Sequence, residues 1–91
     1  MTYMLVRNRV KDYAKWKAVF DSHSEAQKAA GLRLVKLWRD IEDPNNLFFL
    51  LELESVEKAR EFVDAPLAAE GRERSGVIDG EYYYVEDSVE I

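Results

Sequence analysis

Four stretches of the chain are short runs rich in aromatic and aliphatic side chains, a pattern typical of β-strands, in which successive side chains point to opposite faces. In the first of them, Met4 and Val6 fall on one face, while Tyr3 and Leu5 fall on the other. This pattern predicts strands at residues 2–10, 32–41, 47–54 and 77–87, with the tail at 88–91 either pairing with the sheet or fraying. Each strand carries large apolar residues on both faces, so the predicted sheet has no wholly polar side.

The second and third strands form a hairpin. Between them, Asp43-Pro44-Asn45-Asn46 has the composition of a tight turn, because proline fixes φ and asparagine tolerates left-handed backbone. Strands joined by so short a loop are antiparallel neighbours. Unbroken alternation along residues 32–41 would place Trp38 on the same face as Leu32 and Leu34.

Two other stretches have apolar residues at spacings of three and four, which indicates amphipathic helices. The first is predicted to begin at an N-cap, Asp12, and to run to about Ala30, where Gly31 ends it. The polar residues His23 and Gln27 fall within its apolar stripe. The apolar members of that stripe are Tyr13, Trp16, Val19, Phe20, Ala26 and Ala30.

The second helix is predicted to begin after the N-cap Ser55 and to have one apolar side, formed by Val56, Ala59, Phe62 and Val63. Pro66 interrupts this helix and starts a short further turn that reaches about Arg74. Gly71 and Gly76 predict that this last piece is weak or loop-like. It is then the most mobile segment, either as an irregular connection or as a lid over a pocket.

The predicted order of elements is β-α-β-β-α-β, which is that of a ferredoxin-like α+β fold in a single domain spanning residues 1–91. Right-handed crossovers would place both helices on one face of a four-stranded antiparallel sheet. The other face would then expose large apolar residues, which normally marks an interface. We therefore expect a homodimer in which the sheets of two copies face each other.

Composition narrows the choice of partners. The chain has 91 residues, no cysteine and a net charge of −5. The negative charge argues against nucleic acid and against an anionic membrane surface as partners. The chain starts without a basic stretch followed by a long apolar run, and its lack of cysteine fits a reducing compartment, so we expect a cytoplasmic location.

The sequence resembles the dimeric α/β-barrel superfamily, and within it the small single-domain proteins grouped with antibiotic biosynthesis monooxygenases. The resemblance covers nearly the whole chain. It rests on Tyr13-x-x-Trp16-Lys17-x-x-Phe20-Asp21-x-His23, on Ala30-Gly31, on Trp38-Arg39 followed by Asp43-Pro44-Asn45, and on Ala59-x-x-Phe62. It implies a ligand cavity between helices and sheet, and a family that includes cofactor-free oxygenases of aromatic polyketides, heme-degrading enzymes and polyketide cyclases.

Two polar residues are the candidates for catalysis. His23 is the only histidine, and imidazole titrates near neutral pH, which suits proton transfer. The alternative is a partly buried histidine that is hydrogen-bonded to the backbone or to a neighbouring side chain. Asn8 is a candidate because heme-degrading and quinone-forming relatives use an asparagine near this strand; its alternative role is an ordinary hydrogen bond at the edge of the sheet. Heme degradation is disfavoured, because Phe62 stands near the position of the cavity tryptophan of those enzymes and no histidine follows residue 23.

Several aromatic residues are candidates for binding a flat substrate, although such residues more often form plain core or interface. They are Trp16, Phe20, Trp38, Phe62 and Tyr82. Arg72 and Arg74, in the weak segment, could meet an anionic substrate, although a solvated face is the more common role of such residues.

Other chemistries lack their sequence patterns. One histidine and no cysteine give no zinc-type cluster, and no phosphate-binding glycine loop occurs, so we expect neither metal nor cofactor. The expected function is that of a cofactor-independent monooxygenase or cyclase-like protein for a small quinol-like or polyketide-like aromatic molecule. The alternative is a non-catalytic dimer that binds a small ligand or serves a stress-related role.

Overall fold

The computed structural model of the protein describes residues 1–89; Glu90 and Ile91, at the end of the predicted tail, lie outside the described residues. Eight elements follow one another along the chain. They are β1 (Thr2–Val10), α1 (Tyr13–Ser22), α2 (Ser24–Ala29), β2 (Leu32–Arg39), β3 (Asn46–Leu53), α3 (Val56–Asp64), α4 (Pro66–Ser75) and β4 (Val77–Glu86). None of the helices described is long and apolar enough to cross a membrane.

The four strands form one antiparallel sheet in the order β2-β3-β1-β4. This order, with the helices packed against one face, is the predicted ferredoxin-like α+β fold, which is therefore confirmed. The Cα atoms span 34 × 31 × 18 Å. The short dimension is that of two layers, one of helices and one of sheet, so the second face of the sheet has no layer over it.

The core lies between the two layers. The third strand contributes Leu47, Phe49, Leu51 and Leu53, which all point to the helices and are at most 5% exposed. Met4, Val6 and Val10 extend this surface on the neighbouring β1. Trp16 and Ala59 cover it from the helices, and the indole of Trp16 packs on Phe20, with ring centroids 4.8 Å apart.

The first predicted helix is interrupted, contrary to the expectation of one continuous helix from Asp12 to Ala30. Asp12 caps it as predicted, its side chain accepting a hydrogen bond from the Lys15 amide at 3.3 Å. At His23 the backbone leaves helical geometry, with φ −96° and ψ 9°, and the His23 amide bonds to Phe20 instead of continuing the regular ladder. The chain then resumes as the short helix α2.

The segment that begins at Pro66 is a ten-residue helix, whereas the sequence predicted a short segment that would be weak or loop-like. Proline occupies its first turn, where the missing amide hydrogen costs nothing. Gly76 ends it in left-handed geometry, with φ +79°. Both ends of the helix are thus fixed by residues suited to those positions, and together they outweigh the low helix propensity of the internal Gly71.

A β-bulge in β2 corrects the predicted placement of Trp38. Leu34 pairs with Leu51 of β3, whereas Lys36 pairs with Leu50, so one extra residue is accommodated between them. Two steps along β2 therefore correspond to one step along β3, and side chains after the bulge point to the face opposite to the one that unbroken alternation predicts. Leu32 and Leu34 therefore face the helices, while Trp38 lies opposite Phe48 on the other side of the sheet and is 45% exposed.

We call the helix-free side of the sheet the outer face. Its centre is apolar, with Leu5 paired to Leu50 across β1 and β3, and charged side chains lie around that centre. The pairing of the strands assigns to it Tyr3, Leu5, Arg7, Arg9, Arg33, Lys36, Trp38, Asn46, Phe48, Leu50, Glu52, Asp79, Glu81, Tyr83 and Val85.

Charges of opposite sign are paired within the outer face. The Arg7 guanidinium donates to Glu81 at 2.6 Å and to Asp79 at 3.0 Å. Arg33 donates to Glu52 across the strands at 2.7 Å. These pairs are partly exposed, so each contributes little stability by itself. Their effect is to leave the outer face without a block of uncompensated charge of one sign.

The pairing of Arg7 with Glu81 predicts a pH dependence of stability. The hydrogen bond from the Arg7 guanidinium, together with its positive charge, holds the pKa of the Glu81 carboxyl below its ordinary value. A carboxyl group whose pKa is lower in the folded than in the unfolded protein stabilises the folded state at pH values above its unfolded-state pKa. This contribution is lost as the pH falls through the folded-state pKa. We expect the urea midpoint to fall below about pH 4.5, with a smaller fall in Glu81→Gln. Identical midpoint profiles of both proteins between pH 3 and 7 would contradict this prediction.

Candidate functional site

An elongated cavity of about 560 Å³ lies between the helices and the sheet. Its volume is within the range of small-molecule sites, which are usually about 300–1,000 Å³. The sheet contributes Met4 and Val6 from β1 together with Phe49 and Leu51 from β3, all of them buried. One wall of the cavity is therefore a continuous apolar surface.

The opposite wall comes from the helices and is aromatic at one end. Trp16 and Phe20 stack on each other in α1, and the Phe20 ring meets Phe49 edge to face at 5.3 Å between centroids. Phe62 of α3 lines the same cavity, as does Tyr82 of β4. A flat aromatic ligand could stack on surfaces of this kind, since aromatic pairs favour offset or edge-to-face contact.

Two polar side chains face this cavity from opposite walls. His23 comes from the helix layer, at the break between α1 and α2, and Asn8 comes from β1 of the sheet. Neither side chain makes a hydrogen bond to any other of residues 1–89. Both are half-buried, so they are available to a polar group on a bound molecule.

Glycine lies against each of these two polar side chains. A Cβ atom placed on Gly80 of β4 would lie 2.6 Å from the Asn8 side-chain oxygen and would also collide with the Arg7 carbonyl. A Cβ atom on Gly71 of α4 would lie 2.6 Å from Cε1 of His23. Real Cβ atoms do not approach other atoms so closely, so only glycine at both positions leaves these side chains where they are.

The cavity opens to solvent along the β4 edge of the sheet, because its exposed lining residues come from there and from the ends of α3 and α4. They are Asp64, Arg72, Asp79, Gly80, Glu81 and Tyr82. The carboxylates of Asp79 and Glu81 are bonded to Arg7 and so are directed to the outer face. Arg72 and Asp64 are the charged side chains left for the entrance to this cavity.

The structure brings together most of the residues predicted from sequence. His23, Asn8, Trp16, Phe20, Phe62 and Tyr82 all line the cavity. Trp38 does not, because the β2 bulge turns it to the outer face. Among residues 1–89, no group of three or more histidine or acidic side chains could hold a metal ion.

Sequence reasoning missed some of the lining residues. Gln27 lines the cavity four residues after His23, and its place in the same apolar stripe was the available indication. Gly71 and Ser75 line it one turn apart on α4. Their pattern gave no indication, because the segment was predicted to be weak or loop-like. A second depression, beside α2 and the adjoining ends of β2 and β3, shares Phe20, Gln27 and Leu32 with the cavity.

Comparison with known proteins bears on the fold. No family model matches the sequence, and no curated protein sequence matches it significantly. Solved structures do match. A candidate antibiotic biosynthesis monooxygenase from Bordetella bronchiseptica superposes with a TM-score of 0.79 at 17% identity, over 97% of both chains. An antibiotic biosynthesis monooxygenase superposes with a TM-score of 0.71 at 14% identity, over 98% of this chain and 100% of the other.

A conserved protein from Methanosarcina mazei gives a TM-score of 0.73 at 14% identity, over 96% of this chain and 92% of the other. At these identities the comparison shows the shared fold and not a shared activity. The predicted resemblance is thus confirmed for the fold, which is that of the small single-domain proteins named antibiotic biosynthesis monooxygenases.

Proposed function

We propose that this protein is a cofactor-independent monooxygenase or cyclase-like enzyme that acts on a small quinol-like or polyketide-like aromatic molecule. The observation that carries the proposal is the convergence of His23 and Asn8 on one apolar cavity from opposite walls. Apolar walls with a few convergent polar groups are the usual form of a small-molecule site. The names of the proteins that share the fold agree with this class of reaction.

The cavity favours a flat ligand held by its rings. Trp16 and Phe20 provide a stacked aromatic surface, and Phe49 extends that surface at the sheet. A phenol or ketone oxygen on the ligand would meet Asn8, whose amide group can donate a hydrogen bond. His23 would meet the hydrogen that is removed.

The proposed chemistry starts with transfer of a proton from the substrate to the His23 imidazole. Asn8 stabilises the negative charge that develops on the substrate oxygen. The substrate anion then supplies electrons to molecular oxygen, so that a ring methylene becomes a carbonyl. One oxygen atom enters the product and the other leaves as water, with both methylene hydrogens, which balances the reaction without a further reductant.

A non-catalytic role in binding is the second candidate. No hydrogen bond from another of residues 1–89 orients the His23 imidazole. Catalytic histidines are commonly held by such a group, whereas binding of a ligand does not require one. The two candidates share the cavity and differ only in turnover.

A fluorescence and oxygen-uptake experiment tests both candidates. The chain has two tryptophans, one in the cavity wall and one on the outer face, so Trp38→Phe leaves Trp16 as the sole indole. Anthrone, naphthol and quinol compounds are titrated into this variant, and oxygen uptake is followed in the same samples. Quenching with uptake of one oxygen molecule per product supports the enzyme. Quenching without uptake supports the binding protein, and the absence of both contradicts the cavity as a ligand site.

The proposal extends to a homodimer that buries the outer face. Leu5, Leu50 and Phe48 form its apolar centre, and Trp38 and Tyr83 remain 45% and 58% exposed around that centre. Burying one such side chain contributes about 1.5–3 kcal/mol. Several of them per copy would exceed the cost of association, about 4–15 kcal/mol. The charges of the outer face are largely paired within it, which removes a barrier to bringing two copies together.

A further inference from the structure

Helix α4 contains a glycine, Gly71, that the backbone conformation of the helix does not require. Gly71 is an interior residue of the ten-residue helix and is buried. The glycines with positive φ are Gly31 and Gly76, so Gly71 does not need the conformational freedom that glycine provides. Glycine disfavours an interior helical position more than any residue except proline. Some feature outside α4 must therefore explain its presence.

The imidazole of His23 occupies the space that a side chain at residue 71 would fill. The nearest atoms to an ideal Cβ on Gly71 all belong to this ring: Cε1 at 2.6 Å, Nδ1 at 3.1 Å and Nε2 at 3.8 Å. The ring therefore packs directly on the backbone of α4. The Cε1–Nδ1 edge of the ring is the part that lies nearest to the helix.

We infer that Gly71 is a positioning residue that fixes the His23 imidazole in the cavity. His23 lies where the backbone leaves regular helical geometry between α1 and α2, so its own helix holds it less firmly than an interior helical residue. Contact with the backbone of α4 supplies the second support. A methyl group at residue 71 displaces the ring from this support. The consequence for turnover rests on the function proposed above, whereas the contact itself does not.

A double-mutant cycle tests the contact without any substrate. Gly71→Ala is expected to lower the Tm, because the methyl group and the imidazole cannot both keep their present positions and the ring must give up its packing on α4. In the His23→Ala background, the same substitution is expected to raise the Tm by a few degrees, because the ring is absent and alanine favours a helix. This change of sign is the signature of the contact. A similar fall in Tm in both backgrounds would overturn the inference.

The cycle stays informative if Gly71→Ala does not fold. The double variant is then expected to fold, because it lacks the ring that causes the collision. Failure of both proteins to fold would show that residue 71 meets something other than His23, and it would overturn the inference.

The ring can also be observed directly, since the chain has one histidine and its imidazole resonances need no assignment. Gly71→Ala is expected to shift these resonances, while Glu70→Ala, an exposed neighbour on α4, is expected to leave them in place. Unshifted resonances in Gly71→Ala would overturn the inference.

Turnover provides the link to function. On a substrate that the wild-type protein converts, Gly71→Ala is expected to lower kcat at least tenfold and to change KM much less, because the cavity walls that bind the rings are unaltered. Unchanged kcat would overturn the role in positioning. If the double-mutant cycle shows the change of sign but the wild-type protein converts no substrate, the contact stands and the proposed enzymatic function fails.

Discussion

Replacing His23 with alanine is expected to lower kcat by about 10²–10⁴-fold, the usual contribution of a general acid or base. The reason is the small choice of titratable groups at the cavity. Asp79 and Glu81 are engaged by Arg7 on the outer side of the sheet, and Arg72 remains a cation and cannot accept a proton. Asp64 is an exposed carboxylate at the entrance, whereas His23 is half-buried among the lining residues, so His23 is the group best placed to remove a proton from a ligand within the apolar walls.

Two measurements separate loss of chemistry from loss of structure in this variant. Ligand affinity, followed through Trp16 in the Trp38→Phe background, is expected to change little. Added imidazole is expected to restore part of the rate, because the alanine leaves a space of the right shape beside Gly71. Glu25→Ala is the matched control, since Glu25 is exposed, lies two residues away and lines neither depression. A His23→Ala protein with wild-type kcat would remove His23 from the reaction.

Replacing Leu50 with glutamate is expected to convert the proposed dimer to a monomer. Leu50 is at the apolar centre of the outer face, between Leu5 on β1 and Lys36 on β2. In a dimer, the introduced carboxylate would be buried opposite apolar groups, at a cost of about 3–5 kcal/mol, or roughly 10²–10⁴-fold in the dissociation constant. In a monomer, it would lie in water beside the ammonium group of Lys36, so the fold should survive.

Light scattering at micromolar concentration measures this change as a fall from the mass of two chains to the mass of one. The control is Ile41→Glu, because Ile41 is fully exposed in the hairpin loop and lies outside the outer face. Its mass should remain that of the dimer. A wild-type protein that is itself a monomer would contradict the proposed dimer, and a dimeric Leu50→Glu protein would place the interface elsewhere.

The sequence predicts the fold because the alternation and the helical spacings are strong and mutually consistent. The hairpin turn, the caps at Asp12 and Ser55, and the stop at Gly31 are each fixed by the local chemistry of one or two residues. The polar members of the cavity follow from the same patterns. His23 stands out because it interrupts an apolar helical stripe, and Asn8 because it continues the face of Met4 and Val6.

The remaining features depend on contacts between distant parts of the chain. The bulge in β2 depends on how residues 34–36 pair with β3, and alternation within one strand contains no information on that pairing. Trp38 was misplaced for this reason. The packing of the His23 ring against Gly71 arises only once α1 and α4 are in contact. In the sequence alone, Gly71 is only a residue of low helix propensity within a predicted helical segment.

The bulge in β2 also has a consequence for the way in which copies of this protein can associate. β2 and β4 are the two borders of the sheet, and a border with free backbone groups invites addition of another strand, copy after copy, into an open-ended fibre. The irregular spacing at Leu34–Lys36 prevents a regular ladder along β2. Growth in the plane of the sheet is thereby discouraged, which is compatible with the proposed association through the outer face, an arrangement that closes after two copies.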